Sequence, residues 1–311
     1  MPQRPPAWKT LAAFATVYLV WGSTFLAIRI GVAEVPPFLL AAMRFLVAGT
    51  ALCAWMLLRG ERSPTPREWA SATLLAVLIF VLNYGLVFWA ERRVPSGLTA
   101  VMMATIPAFM ALSEIVILGT QRLTLRLAVG LAIGVAGVAV LTMRSGSLGG
   151  APVDGAGAVA LIVGAVAWSV ASALARKLPL PSSRMMSSGA QMLAGGALLA
   201  VTSTALGEPH AFRPSAVTAE AWLALLYQIV AGSLLAFTAY VWLIHHESPT
   251  KVGTYAYVNP VVAVLLGYFV GGEALGRRTI LAMVLILTSV LAITTMRAAP
   301  AAALAPVKEE A

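Results

Sequence analysis

Charge is what this chain has least of. Only 11% of its 311 residues are Asp, Glu, Lys or Arg, while 60% are apolar and the mean hydropathy is +0.88. A soluble core of this size has no use for so much apolar surface, so the composition points to a polytopic membrane protein. Acids and imidazoles are scarcest, with Asp154 the single aspartate and only three histidines. An intramembrane enzyme needs paired acids, a nucleophile with its base, or clustered metal ligands at membrane depth. Asp154 falls in a loop, and His245-His246-Glu247 lacks the His-Glu-x-x-His spacing that sets two zinc ligands on one helix face. No catalytic residue, metal or cofactor is expected. No Walker A glycine–lysine motif occurs, which excludes an ATPase. The lone cysteine, Cys53, excludes an intramolecular disulfide and reads as a buried structural thiol.

What the chain has in quantity is long apolar runs. Ten can be marked, at roughly 11–31, 38–58, 69–90, 95–118, 125–143, 156–176, 187–206, 219–244, 250–271 and 279–296. Each is close to the ~20 residues that ~30 Å of hydrocarbon asks of a helix. They are continuously apolar rather than alternating, which argues against barrel strands, and their short connections leave no room for a soluble catalytic domain. The first run is too long for a signal peptide and lacks a convincing small-x-small cleavage site, so it is expected to remain as a helix. The net charge of +9 does not imply a nucleic-acid partner, because the basic residues gather at the ends of the runs, where they fix topology. With the N-terminus in the cytoplasm, thirteen Lys and Arg fall in inner segments. Six (Arg92, Arg93, Arg144, Arg213, Arg277 and Arg278) fall in outer ones. That bias sets both termini inside and makes the lipid bilayer the chain's main surroundings.

The rare tryptophans carry the organisation. Trp21, Arg29 and Gly49 recur 147 residues later as Trp168, Arg176 and Gly196. After a shift of six, Trp69, Trp89, Pro107, Gly119, Met143 and Arg144 recur as Trp222, Trp242, Pro260, Gly272, Met296 and Arg297. Six of the eight tryptophans thus fall into three in-register pairs, which an Ala-, Leu- and Val-rich composition does not explain. Each copy holds an odd number of runs, so the second must lie inverted relative to the first. Such copies enclose a site near mid-membrane at their interface. The shift falls in the longer second-copy segment Gly207–Thr218, where a loop absorbs an insertion cheaply. The expected fold class is an all-α polytopic membrane protein with ten transmembrane helices in two inverted five-helix repeats.

Inside hydrocarbon each amide or ionisable side chain is costly and is therefore a candidate for function. Arg44 stands about two turns from the outer end of run two, and its repeat partner is Gln191. The pair reads as a gate or cavity rim, or Arg44 snorkels outward to Glu34 or a helix C-terminus. Asn83 with Tyr84 in run three, and Gln228 with Tyr227 in run eight, read either as cavity lining or as interhelical hydrogen-bond glue. Run nine holds Tyr255, Tyr257, Asn259 and Pro260. Tyr255 and Asn259, four apart, share a helix face, and Pro260 should kink the helix, as Pro107 should kink run four. These two prolines are the expected hinges. Glu114 and Glu273 stand at run ends and read as interfacial anchors or helix-cap partners. Gly130-x-x-x-Gly134 and Gly267-x-x-x-Gly271 allow close helix approach, within the chain or in a homodimer.

Certain segments match a known family. They are Val20-Trp21-Gly22-Ser23-Thr24-Phe25, then Pro36-Pro37 with Arg44-Phe45, Val94-Pro95-Ser96-Gly97-Leu98-Thr99-Ala100 through Pro107, and Tyr255-Ala256-Tyr257-Val258-Asn259-Pro260 through Gly271-Gly272-Glu273. Together these resemble the EamA-type permeases of the drug/metabolite transporter superfamily, over about residues 10–297. The resemblance implies a first repeat at 10–144, a second at 156–297 and a cytoplasmic tail at 298–311, in a bacterial inner membrane. It also implies export of small metabolites such as amino acids. The cavity would be lined from both halves with helices five and ten outside it, which puts Trp21, Trp168, Tyr255, Tyr257 and Asn259 on lining helices. The chain departs from the family pattern at Thr120, where the first half commonly has glutamate. It also lacks the first-helix carboxylate through which small multidrug relatives couple to protons.

The expected function is secondary, not ATP-driven, export of a small metabolite, an amino acid or related amine, by alternating access. Trp21, Arg44, Asn83, Tyr84, Trp168, Gln191, Gln228, Tyr255, Tyr257 and Asn259 are the candidate substrate contacts. A non-transporting membrane scaffold is the alternative, and it would not require kinked helices or polar residues placed symmetrically about the midplane.

Overall fold

The computed structural model describes residues 5–119, 123–142, 154–247 and 249–295, and among these there is helix and turn but no strand. Helices satisfy every backbone polar group within their own segment, which is what hydrocarbon requires. The long helices are α1 (Ala7–Glu34), α2 (Pro37–Leu58), α3 (Pro66–Glu91), α4 (Ser96–Leu118) and α5 (Leu125–Thr142). They continue as α6 (Gly155–Leu174), α7 (Arg184–Ala205), α8 (Ala219–Leu243, carried on to His246), α9 (Tyr255–Phe269) and α10 (Arg277–Thr295).

Six of them, α1 to α4, α6 and α8, are long and apolar enough to cross a membrane. That is fewer than the ten runs marked in the sequence, for visible reasons. The apolar parts of α5 and α9 shorten to Leu127–Thr142 and Tyr255–Phe269. Helix α7 carries Ser187, Ser188, Gln191, Thr202, Ser203 and Thr204, and α10 opens on Arg277-Arg278-Thr279. Thr120, the repeat pairs Met143/Met296 and Arg144/Arg297, and the 298–311 tail lie outside the described residues.

The sequence writes the helix starts. Thr65 and Glu68 form a reciprocal capping box at the head of α3, with Pro66 at the first helical position. Asp154 Oδ1 accepts from Gly157 N (2.7 Å), and the Ser183 and Thr218 hydroxyls accept from Met186 N and Ala221 N. Each cap satisfies donors that an α-helix leaves open at its N-terminus. Large apolar side chains such as Val116, Leu125, Val201 and Phe269 face outward, a surface that suits lipid and not water.

The two halves interleave. Helix α1 packs on α8 and α9, while α6 packs on α3 and α4; α2 pairs with α7, and α5 with α10. The α2–α7 crossing is reciprocal. A Cβ on Gly49 would stand 2.5 Å from Leu193 N, and one on its repeat partner Gly196 would stand 2.6 Å from Leu46 N. Neither site admits a side chain, so backbones meet there as small-residue helix interfaces allow. The spaced glycine pairs are likewise taken up internally: Gly130 and Gly134 by Ile293 and Ser289 of α10, Gly267 by the Glu273 carboxyl and Gly271 by Leu26.

The two prolines sit differently in their helices. Helix α4 is interrupted at Ala104–Thr105, with Pro107 at the second position of the segment that restarts. A missing N–H removes no hydrogen bond there. Pro260 instead sits inside α9, and the chain breaks earlier, at Gly253–Thr254. Both α3 and α8 widen to π-helix, over Val77–Gly85 and Gln228–Leu235, a form common at functional sites.

Candidate functional site

A cavity of about 260 Å³ lies in the middle of the bundle. Helices from both halves wall it: Trp21 and Thr24 of α1, Arg44 and Phe45 of α2, Phe80, Asn83 and Tyr84 of α3, and Met103, Ala104 and Pro107 of α4. The other half gives Trp168 of α6, Gln191 of α7, Gly232 and Ser233 of α8, and Tyr255, Asn259 and Pro260 of α9. Among the described residues α5 and α10 contribute nothing to the wall.

The aromatic wall is a chain of edge-on and tilted ring contacts. Phe45 meets Phe80 and Tyr84, each with centroids 4.7 Å apart, and Tyr84 meets Trp168 at 6.0 Å. Across the cavity, Trp21 packs on Tyr240 (5.2 Å) and edge-on to Tyr255 (5.3 Å). The Trp21 indole donates to Gly232 O at 3.1 Å, which fixes its ring. The repeat-paired tryptophans thus each stand against aromatic rings of the opposite half. Offset and edge-on ring pairs of this kind add stability beyond the area they bury.

Arg44 is buried, with Cζ 4.8 Å from the Phe45 ring centre and 5.5 Å from that of Tyr84. Its Nε donates to Ser233 Oγ (2.9 Å), whose own hydroxyl donates to Gln228 O across the π-helical turn. Nη1 has no partner. The snorkelling alternative is not realised, since Glu34 accepts instead from Thr218 N and Oγ1. Asn83 lines the cavity while its Nδ2 donates to Gly164 O of α6 at 3.0 Å. Gln191 Nε2 reaches Ser187 within its own helix. The Asn259 amide, oriented by its acceptors, donates to Tyr18 O (3.3 Å) and Tyr255 O (3.2 Å).

Two residues named from sequence stand apart from the cavity wall, and both have a reason. Gln228 is fully buried and points into the α1 interface, donating to Ala27 O at 3.0 Å. Tyr257 turns to α10, where its hydroxyl donates to Val290 O. It is two residues from Tyr255, about 200° around the helix, so the two rings cannot share a face.

One residue was missed. Glu91, at the C-terminus of α3, is completely buried and neither carboxylate oxygen has a partner. It lies one residue beyond the marked run, so it reads as interfacial. The signal was its spacing, since Tyr84, Val87 and Glu91 fall on one helix face. Beside it Arg29 donates to Glu91 O and Val94 O. Glu273 accepts from Ser96 N (2.6 Å) and Gly97 N (3.0 Å), capping α4 from the other half of the chain.

An all-helical bundle with a lipid-suited exterior and a polar-aromatic cavity walled by both halves is built as a membrane transporter is. The model of the EamA-like transporter family matches residues 8–143 and again 155–295, and the chain belongs to that family. It is 39% identical over 284 residues to the "Uncharacterized inner membrane transporter YedA" of Escherichia coli strain K12, covering 91% of this chain and 89% of that one. "Protein PecM" of Dickeya dadantii is 27% identical, with 88% of each chain covered. A solved structure titled "Crystal structure of protein" superposes with a TM-score of 0.61 at 26% identity, over 94% of this chain and 98% of the other.

Proposed function

We propose that this protein is a secondary exporter of the bacterial inner membrane, carrying a small amphipathic metabolite of amino-acid size by alternating access. Ten spans in two inverted repeats rock about the α2–α7 crossing, with both termini in the cytoplasm. The observation that carries the reading is the central cavity, since a scaffold needs no enclosed space joining both halves and lined by rings, amides and one arginine. Its ~260 Å³ is about nine water volumes, room for a ligand of roughly ten non-hydrogen atoms. Trp21, Tyr84, Trp168 and Tyr255 pack the ligand's apolar part. Arg44, Asn83, Gln191 and Asn259 hold its polar end, and the breaks at Ala104–Thr105, beside Pro107, and at Gly253–Thr254, before the Pro260 helix, flank the site as hinges.

Purified protein in proteoliposomes should exchange labelled substrate without ATP. Cysteines at positions 255 and 259 should react with small water-soluble thiol reagents and be protected by substrate. No flux and no substrate-induced thermal stabilisation across amino acids, amines, organic acids and nucleosides would return the chain to the scaffold class.

A further inference from the structure

Among the described residues, the cavity wall holds one formal charge. Every other lining residue is apolar, aromatic, hydroxyl or amide, and no Asp, Glu, Lys or His is among them. That charge is Arg44, and its hydrogen bonding is unfinished. A guanidinium carries five N–H donors. Among the described residues the side chain makes one hydrogen bond, through Nε to Ser233, and no ion pair, and Nη1 is buried without any acceptor. An arginine kept only to hold helices together would have its fork filled by backbone carbonyls or a carboxylate, because an unmet donor on a buried charged group is expensive. The rings of Phe45 and Tyr84 fix the plane of the guanidinium but supply no oxygen.

We propose that Arg44 anchors a carboxylate, and that the cavity selects small organic anions with an apolar body over amines of the same shape. The inference rests on the central cavity being the transport site. It sets an orientation for the ligand, with the carboxylate on the guanidinium and the body against Trp168, Trp21 and Tyr255. A planar guanidinium matches a carboxylate with two parallel hydrogen bonds, and in a dry apolar wall such charge-assisted pairs are the strong ones. A cationic amine would meet the arginine's like charge and only amide, hydroxyl and carbonyl oxygens in compensation. Glu91 stands one turn beyond Val87 and outside the lining, and among the described residues it makes no ion pair with Arg44.

The test uses full-length protein and three shape-matched probes: 3-phenylpropanoate, 3-phenylpropanamide and 3-phenylpropylamine. Binding is followed by titration calorimetry and movement by counterflow in proteoliposomes. Wild type should bind the carboxylate roughly ten-fold or more tighter than the amide, with the amine weakest. Arg44→Gln should lower carboxylate affinity roughly 10- to 100-fold and leave the amide within about three-fold. Arg44→Lys should fall between, keeping the charge but losing the fork, and Glu91→Gln should leave the preference intact. The wild-type order stands as a test even where an Arg44 variant fails to fold. An amine or amide that binds and moves as well as the carboxylate overturns the proposal while the transporter reading survives. Carboxylate binding that depends on Arg44 but brings no flux keeps the proposal and overturns transport. Absence of binding by all three overturns the proposal.

Discussion

The two ends of the bundle are closed by different kinds of contact. At one end three carboxylates cross between the halves to occupy helix N-termini. Glu34 of α1 caps α8, Glu208 accepts from Phe38 N and Leu39 N at the head of α2, and Glu273 caps α4. Each meets both open N–H groups and the positive end of a helix dipole. Arg29 ties α1 to the α3–α4 turn at the same end. At the opposite end the repeat partner of Arg29, Arg176, makes an exposed ion pair with Glu114 at 3.3 Å, its side chain 60% accessible. Lys177 reaches Ile117 O, and Lys251 pairs with Glu247 at the surface. Equivalent positions in the two copies therefore do unequal work. An alternating-access carrier should show this asymmetry when one gate is shut. On the alternating-access reading proposed above, the carboxylate-capped end is the shut gate.

Breaking the capped end should have the largest effect. Glu273→Ala removes the acceptor for Ser96 N and Gly97 N, where the Ser96 side chain is fully buried. Leaving such donors unmet costs about 1–3 kcal/mol apiece, so this variant should lose roughly 3 kcal/mol of stability by chemical denaturation. A cysteine at position 100, on the cavity wall, should become more reactive toward a small water-soluble thiol reagent. Unchanged reactivity there would mean that Glu273 is not a gate contact. Arg29→Ala comes next, at about 1.5–3 kcal/mol for the loss of charge-assisted bonds to two backbone carbonyls, with the same change in accessibility but smaller.

Much of this was legible in the sequence because it follows from periodicity and rarity. Continuous apolar runs marked the helices, and the paired tryptophans and the Gly49/Gly196 pair marked the duplication. Tyr255 and Asn259, four apart, were placed together by helix geometry alone. What was not legible depends on rotation and on neighbours. Nothing local separates Gln228, which bonds α1, from Asn83, which lines the cavity. A tertiary packing angle decides between them. Pro107 and Pro260 are equivalent in sequence, yet only the first lies at a helix break. The second half places its break at Gly253–Thr254, seven residues before its proline. Glu91, one residue past the marked run, was not singled out, because burial at a helix end comes from the elements folded over it, and Arg29 of α1, which donates to Glu91 O, stands 62 residues away in the chain.

The smallest effects separate the ends most cleanly. Glu91→Gln should leave stability within about 0.5 kcal/mol of wild type, because neither carboxylate oxygen has a hydrogen bond to lose and a neutral amide is cheaper to bury than a charge. Its outcome contrasts with Glu273→Gln, which trades a charged cap with an oxygen for each of Ser96 N and Gly97 N for a neutral amide with a single acceptor oxygen. Arg176→Ala should also cost no more than about 0.5 kcal/mol, as exposed ion pairs generally do, although Arg176 repeats Arg29 in sequence. The pair Arg29→Ala and Arg176→Ala is thus a direct measure of the asymmetry. Equal losses would mean that both ends are held alike and that the structure is an occluded state. A loss confined to Arg29 would mean that only one gate is shut. Added carboxylate ligand sharpens the comparison further. A ligand that binds the capped state should raise the stability of both variants by the same increment, since mass action depends on the site and not on the mutated end.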